Sequence, residues 1–233
     1  MNEHQSDEQR RYPGVFIVVE GIDGSGSTTH TQLLGKALRQ RGLGVVETCE
    51  PSSGPIGSMI RQVLQRRLFV ADASGPRAFA WSTMALLFAA DRMDHLDSTI
   101  VPALREGKVV VSDRYDLSSL AYQSLTAPGG AQVVPWIREL NAQALRPDLT
   151  VVIDVPVDVA EERRRARGGV EEMFEARDLQ ARLASVYAKA AELVPHDRVA
   201  HVSGVGAMSD VAAGILDAVV ALDPKFFAHR PQS

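Results

Sequence analysis

One stretch limits what this chain can become more than any other. Val15–Val19 is a short apolar run, Gly21-Ile22-Asp23-Gly24-Ser25-Gly26-Ser27-Thr28-Thr29 follows it, and a segment of helical spacing begins at once. Strand, Gly-rich turn and helix in immediate succession have the spacing of a phosphate-binding loop. Its glycines let successive backbone N–H groups face one anion, the helix N-terminus adds partial positive charge, and the Thr28 hydroxyl is placed to ligate Mg²⁺. A Gly- and Ser-rich turn that merely joins two elements is the bland alternative, and the strand before it and helix after it favour phosphate. Ser27 stands where the pattern expects lysine.

The alternation continues along the chain. Short apolar runs recur at Val45–Val46, Val109–Val111, Leu149–Ile153 and Val199–Val202 and read as buried strands. Between them lies Thr29–Arg41, where Leu33, Leu34, Ala37 and Leu38 share a face and Gly42 supplies the stop. Helical spacing also marks Phe79–Arg92, Asp94–Arg105, Trp136–Leu145, Val159–Arg167, Leu179–Leu193 and Ser209–Leu222. Strand alternating with helix predicts an α/β fold, a parallel sheet covered on both faces with ligands at the carboxyl ends of its strands. No repeat, low-complexity block or linker divides the chain, so 13–233 reads as one domain behind a flexible polar tail at 1–12. Two segments fit poorly, Ala127–Val134 with its Pro-Gly-Gly and Arg163–Glu172, where an arginine run meets Gly168-Gly169; each reads as a mobile loop over a site.

Composition removes other classes. A net charge of −4 provides no global attraction to nucleic acid or to an anionic membrane, so phosphate recognition must be local. Cys49 is the sole cysteine and cannot form an intrachain disulfide, which suits a reducing compartment and points to the cytoplasm. The uncharged stretch Leu117–Ile137 is long enough to span a bilayer but is broken by Gln, Ser, Pro and Gly, so it does not read as a membrane helix. His30, His95, His196 and His201 have no metal-ligand spacing with Cys49, and neither a Gly-x-Ser-x-Gly elbow nor a zinc signature is present.

Further blocks follow the loop in order. Glu50-Pro51 comes after the second strand, then Leu87-Phe88-Ala89-Ala90-Asp91-Arg92 on a helix, Asp113-Arg114-Tyr115 after the third strand, and Ser118-Ser119-Leu120-Ala121-Tyr122-Gln123. Arg146-Pro147-Asp148-Leu149-Thr150 leads into the fourth strand, which ends at Asp154-Val155-Pro156. With these blocks the chain from about Val15 to Leu222 resembles the thymidylate kinases, P-loop enzymes that move the γ-phosphoryl of ATP onto dTMP. The resemblance implies a P-loop NTPase three-layer α/β/α fold with a five-stranded parallel sheet and a small lid at about 163–175. It also implies ATP and dTMP as substrates, Mg²⁺, and a homodimer.

Roles carried over by the resemblance agree with what the side chains can do. Phe88 and Arg92, four apart on a helix, share a face from which a ring stacks on thymine and a guanidinium reaches its carbonyl. Arg61 matches the clamp on the dTMP phosphate, and Ser119, Tyr122 and Gln123 match positions that contact thymine and the sugar. An amide suits the imide edge of thymine, and Tyr122 would crowd a 2′-hydroxyl. Glu50 would meet the sugar hydroxyl or the Mg²⁺ water shell, Asp113 would organise Mg²⁺, and Arg114 would lie near the phosphates being joined. The transfer arginine would come from the lid, Arg167 first and Arg163 second, since Gly24 leaves the loop without one. Core, turn or solvated-face roles are the alternatives for each.

Departures from the family pattern cluster near the phosphates. Ser27 replaces lysine, Cys49 stands where many bacterial members have arginine, Ser52-Ser53 replace a Gly-Gly, and Gly169-Val170-Glu171-Glu172-Met173-Phe174-Glu175 lacks an Asp-Arg. The lost lysine is a mobile charge for the β- and γ-phosphates, so another cation must serve, with Arg92, Arg114 and the Arg163–Arg167 cluster as candidates. Two other readings stay open. One is a nucleotide-binding protein that kept the pocket and lost catalysis; the other is a kinase for another deoxynucleoside or its monophosphate.

Overall fold

The computed structural model describes residues 11–73, 75–168, 174 and 176–228. In chain order its elements begin with β1 (Val15–Glu20), α1 (Ser27–Gln40), β2 (Val45–Cys49), α2 (Pro55–Leu64), a hairpin of β3 (Val70–Asp72) and β4 (Gly75–Arg77), and α3 (Trp81–His95). A π-helical turn (Leu96–Ile100), α4 (Val101–Arg105), β5 (Val109–Asp113), α5 (Asp116–Thr126), a 3-10 turn (Gly130–Val133), α6 (Val134–Leu140) and β6 (Leu149–Asp154) follow. The chain continues through α7 (Val157–Arg167), α8 (Arg177–Tyr187), the single turn α9 (Ala190–Leu193), β7 (Val199–Ser203) and α10 (Met208–Leu222).

The five longer strands form one parallel sheet in the order β2-β5-β1-β6-β7. Continuous apolar runs are what a strand covered on both faces requires, and β1 and β5 are buried at every position. Alternate residues of β1 feed two cores. Val15, Ile17 and Val19 join Leu34 and Leu38 of α1 and Ile215 of α10, while Phe16 and Val18 join Ile100 and Leu104 on the opposite face. Cys49, Asp113, Glu20 and Asp154 therefore end their strands along one edge of the sheet, where a parallel sheet presents groups to a ligand.

All five expected strands are present; β2 runs on to Cys49, because Glu47 and Thr48 pair with Val111 and Ser112 although neither is apolar. Helical pattern was harder to delimit. Asp94–Arg105 is no separate helix but the continuation of α3 through the π turn, Trp136–Leu145 stops at Leu140, and Leu179–Leu193 breaks after Tyr187. Neither poorly fitting segment is a plain loop: Gly130–Val133 is a 3-10 turn, and Arg163–Arg167 are the last turns of α7. Gly169–Glu172, the rest of the second segment, lies outside the described residues, as does 1–10 of the expected tail. Tyr12, also assigned to that tail, packs against the Phe16 core. The short β3–β4 hairpin was not anticipated. Leu117–Ile137 divides among α5, the 3-10 turn and α6, and among the described residues no helix is long and apolar enough to cross a membrane.

Candidate active site

The loop between β1 and α1 takes its shape from glycine. Gly26 has φ 94° at the N-terminus of α1, and Gly24 has φ 90°, both in the left-handed region that glycine enters without a Cβ penalty. A Cβ on Gly24 would also run into the Ala160 carbonyl, so α7 rests directly on the loop. Together they bound a cavity of about 830 Å³, floored by Gly24, Gly26, Ser27, Thr28 and Thr29 and walled by Arg163, Arg164 and Arg167. Its volume falls in the range of small-molecule sites. Ser27, where lysine was expected, is buried at the start of α1.

Thr28, read from the loop, and Asp113, given a Mg²⁺ role by the resemblance, lie side by side. The Thr28 hydroxyl donates to Asp113 Oδ2, while Oδ1 of the same carboxylate is buried without a protein hydrogen-bond partner among the described residues. An orphaned carboxylate oxygen beside a hydroxyl is a donor set that fits Mg²⁺, which takes one or two protein oxygens and fills its octahedron with water and phosphate. Among the described residues no three His, Cys, Asp or Glu side chains converge on one point, so an all-protein metal cage is not built here.

A second cavity of about 130 Å³ lies between Glu50, Phe88, Arg92, Ser119, Tyr122 and Gln123, which gathers six of the expected site residues. A cavity of this size lined by Phe88 and Tyr122 suits a flat ring. Phe174 closes one side and stands 5.5 Å from the Tyr122 ring, centroid to centroid. Gln123 is buried and its Oε1 has no hydrogen-bond partner among the described residues. Ile22 is buried in the core, and Ser25 anchors the turn by donating its N–H to the Ile22 carbonyl at 2.9 Å.

Arg92 is only 1% exposed, so it is no solvated helix arginine. It donates to Glu50 Oε2 through Nε at 3.0 Å and Nη2 at 2.6 Å, to Ser119 Oγ at 3.1 Å, and to Asn141 Oδ1. Burial opposes its charge, but Glu50 and Asp116 more than offset that and hold it on. Arg61 is placed elsewhere. Its guanidinium donates to the Pro51 carbonyl at 2.8 Å and the Ser52 carbonyl at 2.5 Å, and it is not among the described lining residues of either cavity. Ser52, one of the departures, has both its N–H and its hydroxyl on buried Asp91, at 2.7 and 2.6 Å. Arg61 and Asp91 thus brace the turn that carries Glu50.

Arg114 occupies the boundary between the two cavities. With Asp23 it lines both, and its Nη2 pairs with the Asp23 carboxylate while Nη1 donates to the Gly21 carbonyl at 2.9 Å. Its backbone has φ 70°, a left-handed conformation that costs a non-glycine residue of order 1 kcal/mol or more. The strain is held by its N–H on the Val19 carbonyl at 2.9 Å and by Ser112 Oγ donating to its carbonyl at 2.8 Å. Burial opposes the Arg114 charge too, yet its neighbours, Tyr122 and Asp23 foremost, raise its pKa well above the ordinary arginine value.

Sequence reading missed the residues that support this boundary. Glu20 is fully buried and accepts from the Tyr115 N–H at 2.9 Å, the Ser118 N–H at 3.1 Å, Ser118 Oγ at 2.6 Å and Tyr187 Oη at 3.0 Å. Burial pushes its pKa up to about 7, against the pull of Arg114 and the donors around it. Gln180 accepts from the Asp23 N–H at 3.0 Å and donates to Asp23 Oδ2 at 2.8 Å and the Phe174 carbonyl at 2.7 Å. Ser118 stood among the ordered blocks and Glu20 between the first apolar run and the loop, so both could have been suspected; nothing in sequence marks Asn141 or Gln180. Arg146, quoted in the last block, instead ties Asp116 to Asp197. Cys49 is exposed, but burial around its sulfur and the nearby Asp113 raise its pKa, the opposite of an activated thiol.

Comparison with known proteins follows the same lines. The family model "Thymidylate kinase" matches residues 19–202. A "Probable thymidylate kinase" of Pyrococcus horikoshii is 38% identical over 203 residues, covering 87% of this chain and 94% of that protein. One from Pyrococcus abyssi is 39% identical over 198 residues, covering 85% and 90%. A bacterial "Thymidylate kinase", from Pelobacter propionicus, is 37% identical over 214 residues, covering 89% and 94%.

Proposed function

The chain belongs to the thymidylate kinase family, and from that premise we infer that it transfers the γ-phosphoryl of ATP to dTMP, giving dTDP and ADP. The observation that carries this reading is the shared wall: a loop-lined cavity and a ring-sized cavity meet at Asp23 and Arg114, as donor and acceptor sites must for direct transfer.

In this reading the ATP phosphates lie on Gly21–Thr29. Thr28 and Asp113 would hold Mg²⁺, which when bound neutralises charge on the phosphate oxygens. Thymine enters beside Phe88, with Arg92 and the unpaired Gln123 amide reading its polar edge and Ser119 fixing the guanidinium. Tyr122 lies against the sugar and Glu50, held by Arg92 and His95, faces it from the opposite side. An oxygen of the dTMP phosphate, already ionised near neutral pH, attacks the γ-phosphorus, so no general base is needed. One P–O bond forms as the bond from γ-phosphorus to the ADP oxygen breaks, and ADP leaves with the electron pair. Positioning and charge stabilisation do the catalytic work, and Arg114 stands at the junction to supply part of it. Arg167 and Arg163 face the donor cavity from α7, and Arg61 serves the acceptor side by bracing the Glu50 turn. Residues 13–233 act as one domain in this account. Assembly as a homodimer in the cytoplasm belongs to it too, with Leu86 of α3, half exposed, as an apolar contact for a second copy.

The test is ADP release by the purified protein with ATP, Mg²⁺ and each deoxynucleoside monophosphate in turn. Turnover with dTMP well above dCMP, dAMP and dGMP is expected. Preference for another acceptor, or tight nucleotide binding with no release, overturns the assignment.

A further inference from the structure

Resting on the reading above, the geometry of α7 answers a question that Ser27 leaves open. A phosphate loop of this spacing normally carries a lysine whose ammonium follows charge as it moves between phosphates. Ser27 has no charge to offer, so some other cation must face the same space.

The candidates around the donor cavity separate by what their guanidinium groups already do. Arg114 is already committed to the junction of the two cavities, where the Asp23 carboxylate holds it. Arg163 spans two carbonyls, Ser25 at 3.3 Å and Gly204 at 2.9 Å, and so ties the loop to the turn after β7. Arg165 points away, 77% exposed and paired with Glu161 at 2.5 Å. Arg92 belongs to the acceptor cavity. His30 lines the donor cavity, but burial and the nearby Arg163 lower its pKa, so it is neutral at physiological pH. Arg167, exposed at the end of α7, lines the cavity in the transfer role given to it above. Arg164 differs from all of these. It is half-buried, it lines the cavity, and Nη1 donates to the carbonyl of Asp23, the residue whose carboxylate Arg114 holds from the other side.

We propose that Arg164 supplies, from α7, the positive charge that a lysine at position 27 would bring to the transferring phosphoryl group. The placement follows from packing: Gly24 lets α7 rest on the loop at Ala160, and one turn further along the helix Arg164 reaches the loop again, at Asp23. One N–H of its planar five-donor group is spent on the carbonyl, leaving the others to face phosphate oxygens in the donor cavity. A guanidinium held by the backbone of its target loop is preorganised for charge that develops only during transfer.

The experiment compares four proteins by ADP release with ATP, Mg²⁺ and dTMP: the parent, Arg164→Gln, Ser27→Lys, and the double variant. Arg164→Gln keeps a donor for the Asp23 carbonyl but no charge. Its kcat should fall at least about 100-fold, with the dTMP KM within about threefold and an unchanged thermal midpoint. Ser27→Lys in that background should restore most of the loss. Arg165→Ala, on the outer face of the same helix, should behave as the parent. A kcat for Arg164→Gln within about threefold of the parent overturns the proposal, and so does a loss that Ser27→Lys leaves unrepaired, which would mark a positional role for the side chain. If Arg164→Gln does not fold, Arg164→Lys replaces it: retained turnover supports a charge role, and turnover as low as for an uncharged residue in a folded protein overturns it. Should the parent itself turn over no dTMP, it is the assigned reaction that fails, an outcome distinct from these.

Discussion

Arg114 donates to the Asp23 carboxylate across the wall between the two cavities, and it does so from a left-handed backbone that only its surroundings stabilise. Strain held in place by specific hydrogen bonds fits the proposed role of Arg114 as a fixed cation at the junction. Arg114→Met removes the charge and leaves the Asp23 carboxylate, held by Gln180, with no guanidinium to balance it beside the phosphates. The expected result is a kcat lower by a factor of at least about 100. Adding Asp23→Asn should recover part of the lost ATP affinity, because the repulsion goes with the charge. Steady-state kinetics and equilibrium ATP binding read the two effects separately.

Arg92 and Glu50 are buried together, and neither tolerates the loss of the other. Arg92→Ala leaves the Glu50 carboxylate buried without its guanidinium partner, a loss of about 3–5 kcal/mol in unfolding free energy measured by urea titration. Arg92→Ala with Glu50→Gln should be less destabilised than Arg92→Ala alone. In whatever fraction stays folded, the dTMP KM should rise while ATP affinity is unchanged. An unaltered dTMP KM would remove Arg92 from base reading.

Gln123 carries a stability cost that substrate relieves. Its buried Oε1 has no hydrogen-bond partner among the described residues, and leaving such a group unsatisfied costs ~1–3 kcal/mol. Gln123→Leu should therefore raise the thermal midpoint of the free protein or leave it unchanged, while weakening dTMP binding about tenfold or more by the same energy. A variant that loses stability and keeps its dTMP affinity would place the amide in a structural role.

Stability should also depend on pH through Glu20. Burial raises its folded pKa from 4.5 to about 7, so between those values the native state holds a proton that the unfolded chain has released. Stability from this group is complete below about pH 4.5 and is lost as pH rises through 7, a decline of roughly 3 kcal/mol. Glu20→Gln has no proton to lose and should flatten that part of the profile relative to the parent. Denaturant titrations of both proteins from pH 4.5 to 8 give the comparison, and parallel curves would show that Glu20 does not titrate in this window.

Much of this molecule was legible in one dimension. The apolar runs of β1, β5 and β6 declared themselves because strands buried on both faces have no polar positions to blur the pattern. The loop was legible for a related reason: positive φ at Gly24 and Gly26 demands glycine, so the conformation is written in the residue type. Phe88, Arg92, Glu50, Ser119, Tyr122 and Gln123 were each named from ordered blocks, and folding brings all six to one cavity.

What sequence could not decide is where long side chains end. Arg61 and Arg114 are the same residue type, yet one is turned back onto the carbonyls of Pro51 and Ser52 and the other onto Asp23 between two cavities. In the run Arg163-Arg164-Arg165, three neighbours on one helix take three directions, toward Gly204, Asp23 and Glu161. Successive residues of a helix are rotated about 100° apart, so which arginine faces the loop depends on how α7 is docked, and that depends on Gly24 meeting Ala160. Asn141 and Gln180 carry no signature at all; their roles arise because a buried guanidinium and the Asp23 carboxylate each need a partner that only the packed chain brings near. Local chemistry thus determined the strands, the loop and the class of ligand. Tertiary packing alone decided which charges face that ligand, because a flexible side chain takes its direction from the partners folding places within its reach.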